Sequence, residues 1–275
     1  MPIIEYYLYR VKFIKSSQSD IFRKDISSTE LFMTSLNEKP EIALKKDNVW
    51  HIGNIGYFNE TSGSFAVGRT TQTTIERFDT ESGNFIDLID DSGPYTNVLF
   101  DSSIGLIGIA KKVKVAPDTE AIARKITKLL ENTKIVKEFG VEVRVDFIPD
   151  PEGFLHKLRS AYSIKRFTAS FTGPNPIDAD ELFQKPLSVY CQAVNGESGA
   201  VVVAGEQLNE ENIEAVAKST ASTGNTASAR IQPTSHKKII TIKLKGDAVK
   251  VPVETEMLKP EILKVIQEAY YKVRQ

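Results

Sequence analysis

The chain has 275 residues, 41% of them hydrophobic, which is enough to bury a substantial core in one large or two ordinary domains. A formal net charge of −1 excludes indiscriminate polyanion binding over the whole surface, because that needs a general excess of Lys and Arg. The single cysteine, Cys191, excludes an internal disulfide, and no apolar run approaches the roughly 20 residues of a membrane-spanning helix.

Residues 3–15, IIEYYLYRVKFIK, are rich in β-branched and aromatic types and predict a long strand. The start MPIIEYYLYRVKF also places charges and tyrosines where a signal peptide needs an apolar run, so a cytoplasmic location is expected. After a polar stretch, WHIGNIGYFN, SGSFAVGRT, TTIERFD and GNFIDLID follow at short spacing with Gly and Asn between them, the pattern of a β meander. YTNVLFD and IGLIGIAKK add two further strands. From Asp118, a good N-cap, the period changes: Ile122, Ile126, Leu129 and Leu130 lie at i, i+4, i+7 and i+8 and predict an amphipathic helix over 119–132. VEVRVDFI alternates as a half-buried strand, PDPEGFLHKLRSAY reads as a short helix, and IKRFTASFT alternates again.

GPNPIDADELF, from Gly173, is a natural boundary or crossover, with Asp178 and Asp180 placed as helix-start acids. Beyond it LSVYCQAV is expected to be an apolar strand and GAVVVAG another extended segment. A helix starts near Asn209 with Ile213, Val216 and Ala217 inward. HKKIITIKLKG and AVKVPVET read as one hairpin around Gly246 and Asp247. Pro260 opens a closing helix whose buried stripe is Ile262, Ile266, Ala269, Tyr270 and Val273. The fold class is therefore α+β, mainly antiparallel sheets with a few packing helices. Two domains are expected: a β-rich one over 1–110 and an α+β one over 111–275, with a sub-boundary near 173–178.

The near-neutral total hides a strong asymmetry. Residues 1–110 hold 10 Lys and Arg against 15 Asp and Glu, whereas 111–166 hold 13 against 8. Residues 167–215 hold one Lys against eight acids, and 216–250 hold seven cations against Asp247 alone. Such a pattern can draw a polyanion onto one face while acidic surface elsewhere repels it.

Motifs for chemistry are sparse. Three histidines, at 51, 156 and 236, have no ligand spacing, and neither CxxC nor HExxH occurs, so no metal is expected. Cys191 sits in apolar sequence and reads as a small buried hydrophobe. The glycines of GNIGYFNETSGSFAVGRT lack the spacing and the following helix of a phosphate loop. Asp90, Asp91 and Asp150 are the acids a metal-dependent nucleic-acid or nucleotide hydrolase would use, but a nuclease strand needs an acid two residues before its lysine, and IKRFTASF offers Lys165 without that acid. No catalytic residue and no cofactor is assigned.

STASTGNTASARI, residues 219–231, is the least core-like stretch: six of its thirteen side chains are Ser or Thr and its one charge is Arg230. Hydroxyls, free backbone N–H groups and an arginine are what contact phosphate oxygens. The tract is expected to be a surface loop that orders on nucleic acid. The charge map then places a DNA site at Lys111, Lys112, Lys114, Arg124, Lys125, Lys128, Lys165 and Arg166 in the middle, with Arg230, Lys237, Lys238, Lys243 and Lys245 beyond the tract, gathered into one cleft.

The run VLFDSSIGLIGIAKKVKVAPDTEAIARKI, then VEVRVDFIP and IKRFTASFTGP, resembles the central part of the RexA proteins of lambda-type prophages. Ile107-Gly108-Ile109-Ala110 takes the place of their IGFA-like strand and Arg166-Phe167-Thr168 that of their Arg-Thr element, while KGDAVKVPVETEMLKPEILKVIQEAYYKVRQ is similar in layout to their closing strand and helix. The resemblance implies a non-enzymatic, sequence-tolerant double-stranded DNA binder. It further implies a homodimeric intracellular sensor in phage exclusion, or abortive infection, that works with a membrane-channel effector protein. Two other classes stay open at this point: the hydrolase, and a protein-interaction module without nucleic-acid binding.

Overall fold

The structure, a computed structural model, describes residues 2–15, 26–45, 48–172 and 183–275. The first strand, β1 (Ile3–Lys15), forms as its composition predicts. The polar stretch after it contains α1 (Ser28–Asn37), held at its start by a reciprocal pair in which Ser27 caps Glu30 N and the Glu30 carboxylate accepts from Ser27 N. Then come β2 (Glu41–Lys45), β3 (Asn48–Tyr57), β4 (Ser62–Asp79), β5 (Asn84–Ser92), β6 (Tyr95–Asp101) and β7 (Leu106–Ala110). Two segments expected as separate strands, SGSFAVGRT and TTIERFD, are one continuous strand, β4. Its first part pairs with β6 and its second with β5. With its partners switching midway, β4 needs no turn of its own.

Asp118 caps α2 (Thr119–Glu131) by accepting from Ala121 N, and α3 (Lys134–Phe139) ends at Gly140, whose φ of 60° is the left-handed conformation glycine adopts freely. There follow β8 (Val141–Phe147), α4 (Glu152–Arg159), β9 (Ser163–Thr172), α5 (Gln184–Ala193), β10 (Ser198–Ala204) and α6 (Glu210–Ser222). The chain closes with β11 (Ala227–Gln232), β12 (Ile240–Lys243), β13 (Lys250–Glu254) and α7 (Lys259–Arg274). Asp178 and Asp180 lie outside the described residues.

The elements form two antiparallel sheets, an α+β arrangement. The large one runs β13-β1-β7-β6-β4-β3-β2, with β5 added on β4 and β8 on β1; the small one runs β10-β9-β11-β12. β8 and β13 both pair with β1, so the large sheet draws strands from either side of residue 110. Strand β1 is buried on both sides. Tyr6 and Leu8 join the core that α4, α6, α7 and the small sheet share, while Tyr9, Val11 and Phe13 join the core under α1 and α2. Among the described residues no helix is long and apolar enough to cross a membrane.

Three expectations are corrected. LSVYCQAV is not a strand but most of helix α5: Gln184, Ser188 and Cys191 are buried at i, i+4 and i+7, and Pro186 sits in the first turn, where it displaces no helical hydrogen bond. HKKIITIKLKG and AVKVPVET do not pair with each other. Strand β12 pairs with β11 in the small sheet and β13 with β1 in the large one, and the Gly246–Asp247 turn crosses between them against Asp150, whose N–H donates to Asp247 O at 3.0 Å. A Cβ on Gly246 would stand 2.4 Å from Asp150 O, so only glycine allows that crossing.

The third correction concerns STASTGNTASARI. Ser219, Thr220, Ala221, Ser222, Thr223 and Asn225 are all buried. The first part is the last turn of α6, and the hydroxyls bond back to that helix: Thr220 to Val216 O at 2.7 Å, Ser222 to Ser219 O at 2.9 Å, Thr223 to Thr220 O at 3.0 Å. Gly224, with φ of 64°, closes the helix by donating to Ala221 O while Asn225 N donates to Thr220 O, the paired bonds of a Schellman end. Satisfied in this way, a hydroxyl-rich segment enters a core at little cost.

Candidate nucleic-acid interface

The buried end of α6 points at two cations of β1. Arg10, fully buried, donates from Nη1 to Tyr270 Oη at 2.7 Å and to Ser222 O at 3.5 Å. Lys12 Nζ meets Asp146 Oδ2 at 3.0 Å and Asn225 Oδ1 at 3.2 Å. Burial pushes the Lys12 ammonium below the ordinary lysine value, with Asp146 opposing. Both sit beside the negative end of a helix dipole, where cations are favoured. The tract is therefore structural scaffolding for buried charge, and a loop ordering on DNA is excluded for residues 219–225.

The small sheet is different. Its four strands, 163–172, 198–204, 227–232 and 240–243, contain no Asp or Glu. One face is apolar: Phe167, Ala169, Ala229, Ile231, Ile242 and Leu244 pack into the core. Alternation sends their neighbours to the other face. There the register sets Arg166 opposite Arg230 and Arg230 opposite Thr241, with Thr168 opposite Ser228 and Ser228 opposite Lys243. Arg166, Arg230, Thr241 and Lys243 are exposed, and Thr168 and Ser228 partly so. Among the described residues neither arginine makes an ion pair. Two arginines directly across a strand pair repel each other, and an anion between them reverses the sign.

Of the remaining predicted residues, Lys237 and Lys238 lie in the exposed connection from β11 to β12 at the end of this face, and Lys245 is exposed just past β12. Lys165 falls where the β9–β11 register slips, and its Nζ donates to Glu206 O at 2.6 Å. The hydroxyls of Thr168, Ser228 and Thr241 escaped the charge map. Their signal was the polar residue two positions from each cation: Arg166 and Thr168, Ser228 and Arg230, Thr241 and Lys243.

The rest of the middle block, Lys111, Lys112, Lys114, Arg124, Lys125 and Lys128, does not join this face. Helix α2 packs on the large sheet, where Arg124 pairs with Glu120 at 2.8 Å and Lys125 lies 5.8 Å from the centre of the Trp50 ring. Lys128 projects from the same helix, and Lys114 is exposed between β7 and α2. Lys111 and Lys112 lie over the rings of Tyr7 and Tyr95. Where α2 and the 245–250 turn approach, a cleft of about 700 Å³ is lined by Asp118, Glu120, Asp150 and Asp247 against Lys245 and Lys250. Acids outnumber cations in that lining, and of the residues assigned to DNA only Lys245 reaches it.

The β4–β5 hairpin is also unsuited to phosphate. Residues 71–92 hold six acids and one arginine, and Ile75, Phe78, Phe85 and Leu88 are exposed on it. Asp90 and Asp91 are on β5 of this hairpin. Cys191 is buried, as its apolar setting predicts. Among the described residues no group of three or more His, Cys, Asp or Glu stands ready for a metal ion. The site is thus an open, hydroxyl-bearing cationic sheet face on an α+β scaffold. No protein-family model matches the chain, and no curated protein matches it in sequence.

Proposed function

We propose that the protein binds double-stranded DNA through its phosphates, without reading sequence, on the solvent-facing side of the small sheet. The observation that carries the reading is Arg166 facing Arg230 across β9 and β11, in a sheet whose strands contain no carboxylate. A phosphate oxygen between two guanidinium groups replaces repulsion by two charge-assisted hydrogen bonds. Thr168, Ser228 and Thr241 supply neutral donors beside them, and Lys243, Lys237 and Lys238 extend the positive field. Contacts of this kind fix position on the backbone and leave the base edges unread. The resemblance to RexA proteins supplies the biological half of the proposal: a cytoplasmic homodimeric sensor in anti-phage defence, non-enzymatic itself, that acts through a membrane-channel effector.

The test is the double variant Arg166→Glu, Arg230→Glu, titrated with random duplex at several salt concentrations. Removing two phosphate contacts should reduce the slope of log affinity against log salt by about 1.8 and weaken binding by more than tenfold. The melting temperature should be unchanged, since exposed side chains away from the core shift stability little. Wild-type affinity and slope in the variant would remove this face from the site.

A further inference from the structure

A second concavity, of about 450 Å³, opens between α2 and the β2–β3–β4 end of the large sheet. That size is ordinary for a small-molecule site. Its polar lining is Asn48, Arg69, Lys125 and Lys128, with Trp50 at its base and Val115 among its apolar walls; the described lining has no acid. The register puts Arg69 opposite Trp50 on adjacent strands, and Asn48, two residues before Trp50, shares that face. Lys125 covers the indole, and Lys128 follows one turn along α2.

Two atoms in this groove are buried without a hydrogen-bond partner among the described residues: Arg69 Nε and Asn48 Oδ1. The first is a donor with a positive charge and the second an acceptor. Leaving such groups unmet is unfavourable, and a simple anion satisfies only the first. A molecule carrying both an anionic oxygen and a hydroxyl satisfies both once the two side chains turn to meet it.

We propose that this groove binds a phosphorylated sugar or nucleoside. The phosphate lies among Arg69, Lys125 and Lys128, a hydroxyl donates to Asn48 Oδ1, and the carbon skeleton rests on the exposed Val113 and Pro117. Lys125 and Lys128, assigned by charge alone to DNA, then serve a separate small-molecule site, which stands whether or not the small sheet binds duplex.

Trp50 is the only tryptophan of the chain, so its fluorescence reports occupancy directly. Inorganic phosphate, ribose 5-phosphate, the four ribonucleoside 5′-monophosphates and a short duplex should each be titrated in turn. The expected result is a saturable change with a sugar or nucleoside phosphate, at least tenfold tighter than with inorganic phosphate. Arg69→Gln should weaken it at least tenfold. Lys128→Gln, at an exposed helix position that leaves the fold intact, should weaken it severalfold. No saturable change up to millimolar concentration, a change with the duplex alone, or equal binding by both variants would overturn the proposal.

Discussion

Two pairs of cations, one on each sheet, have opposite fates. Arg10 and Lys12 lie on the central strand of the large sheet, buried and tied to Tyr270, Ser222, Asp146 and Asn225. Arg166 and Arg230 lie opposite each other on the open face of the small sheet and make no ion pair among the described residues. A buried charge must carry its partners with it, because the desolvation penalty is otherwise several kcal/mol. An exposed pair of like charges has no such obligation, and is available to something outside the molecule. The difference between the structural cations and those proposed to bind DNA is therefore one of partners.

The contrast breaks if the two kinds of arginine respond alike to substitution. Arg10→Met strips the donor from Tyr270 Oη and Ser222 O and should cost about 3 kcal/mol, at roughly 1–3 for each polar group left unmet. Arg166→Met, measured by the same urea unfolding, should stay within about 0.5 kcal/mol of the parent. Equal shifts would dissolve the distinction.

A smaller effect sharpens the role of the α6 terminus. Gly224 has φ of 64°, and a Cβ there would stand 3.0 Å from Asp146 Cβ and 3.3 Å from Phe147 O. Gly224→Ala should lower stability by about 1–2 kcal/mol from the left-handed conformation alone, with a further loss from the contact. A neutral result in urea would show that the helix end is not seated as tightly as Arg10 requires.

The smallest effect belongs to the exposed side of α6. Glu214 accepts from Arg159 of α4 and pairs with Lys218 at 2.8 Å, and the Arg159 hydrogen bonds, foremost, hold its carboxyl down at about 2 against an ordinary 4.5. A depressed carboxylate stabilises the fold above its unfolded value and loses that contribution as the pH falls from 4.5 through about 2. Glu214→Gln should therefore melt slightly lower than the parent at neutral pH and identically near pH 2. A gap that persists at pH 2 would assign the loss to packing instead. Because the pair is solvent-screened, the neutral-pH gap should be small.

Much of this architecture was legible wherever one period dominated. β1, α2, β8, β9 and α7 follow from alternation or from i, i+4, i+7 spacing, and they are the elements whose apolar stripe is intact. α5 was not legible, because Val189, Tyr190 and Cys191 look strand-like and only burial at 184, 188 and 191 reveals the helix. The buried tract was misread for a related reason: Ser and Thr signal surface only when their hydroxyls need water, and here helix carbonyls accept them. Strand partnership was beyond local pattern. Nothing near Gly246 says that β12 and β13 part to different sheets, and the meeting of Arg166 with Arg230 depends on a register that slips at Arg230/Ile231.

β1 also sets a schedule. One flank of its first half is closed by residues 250–254, nearly the whole chain away in sequence. During synthesis that flank stays open until residues 250–254 have emerged, and such late, distant closure slows assembly and leaves a strand edge bare to neighbours. A ribosome-bound nascent chain halted before β13 should accordingly be the form of this protein most dependent on chaperones.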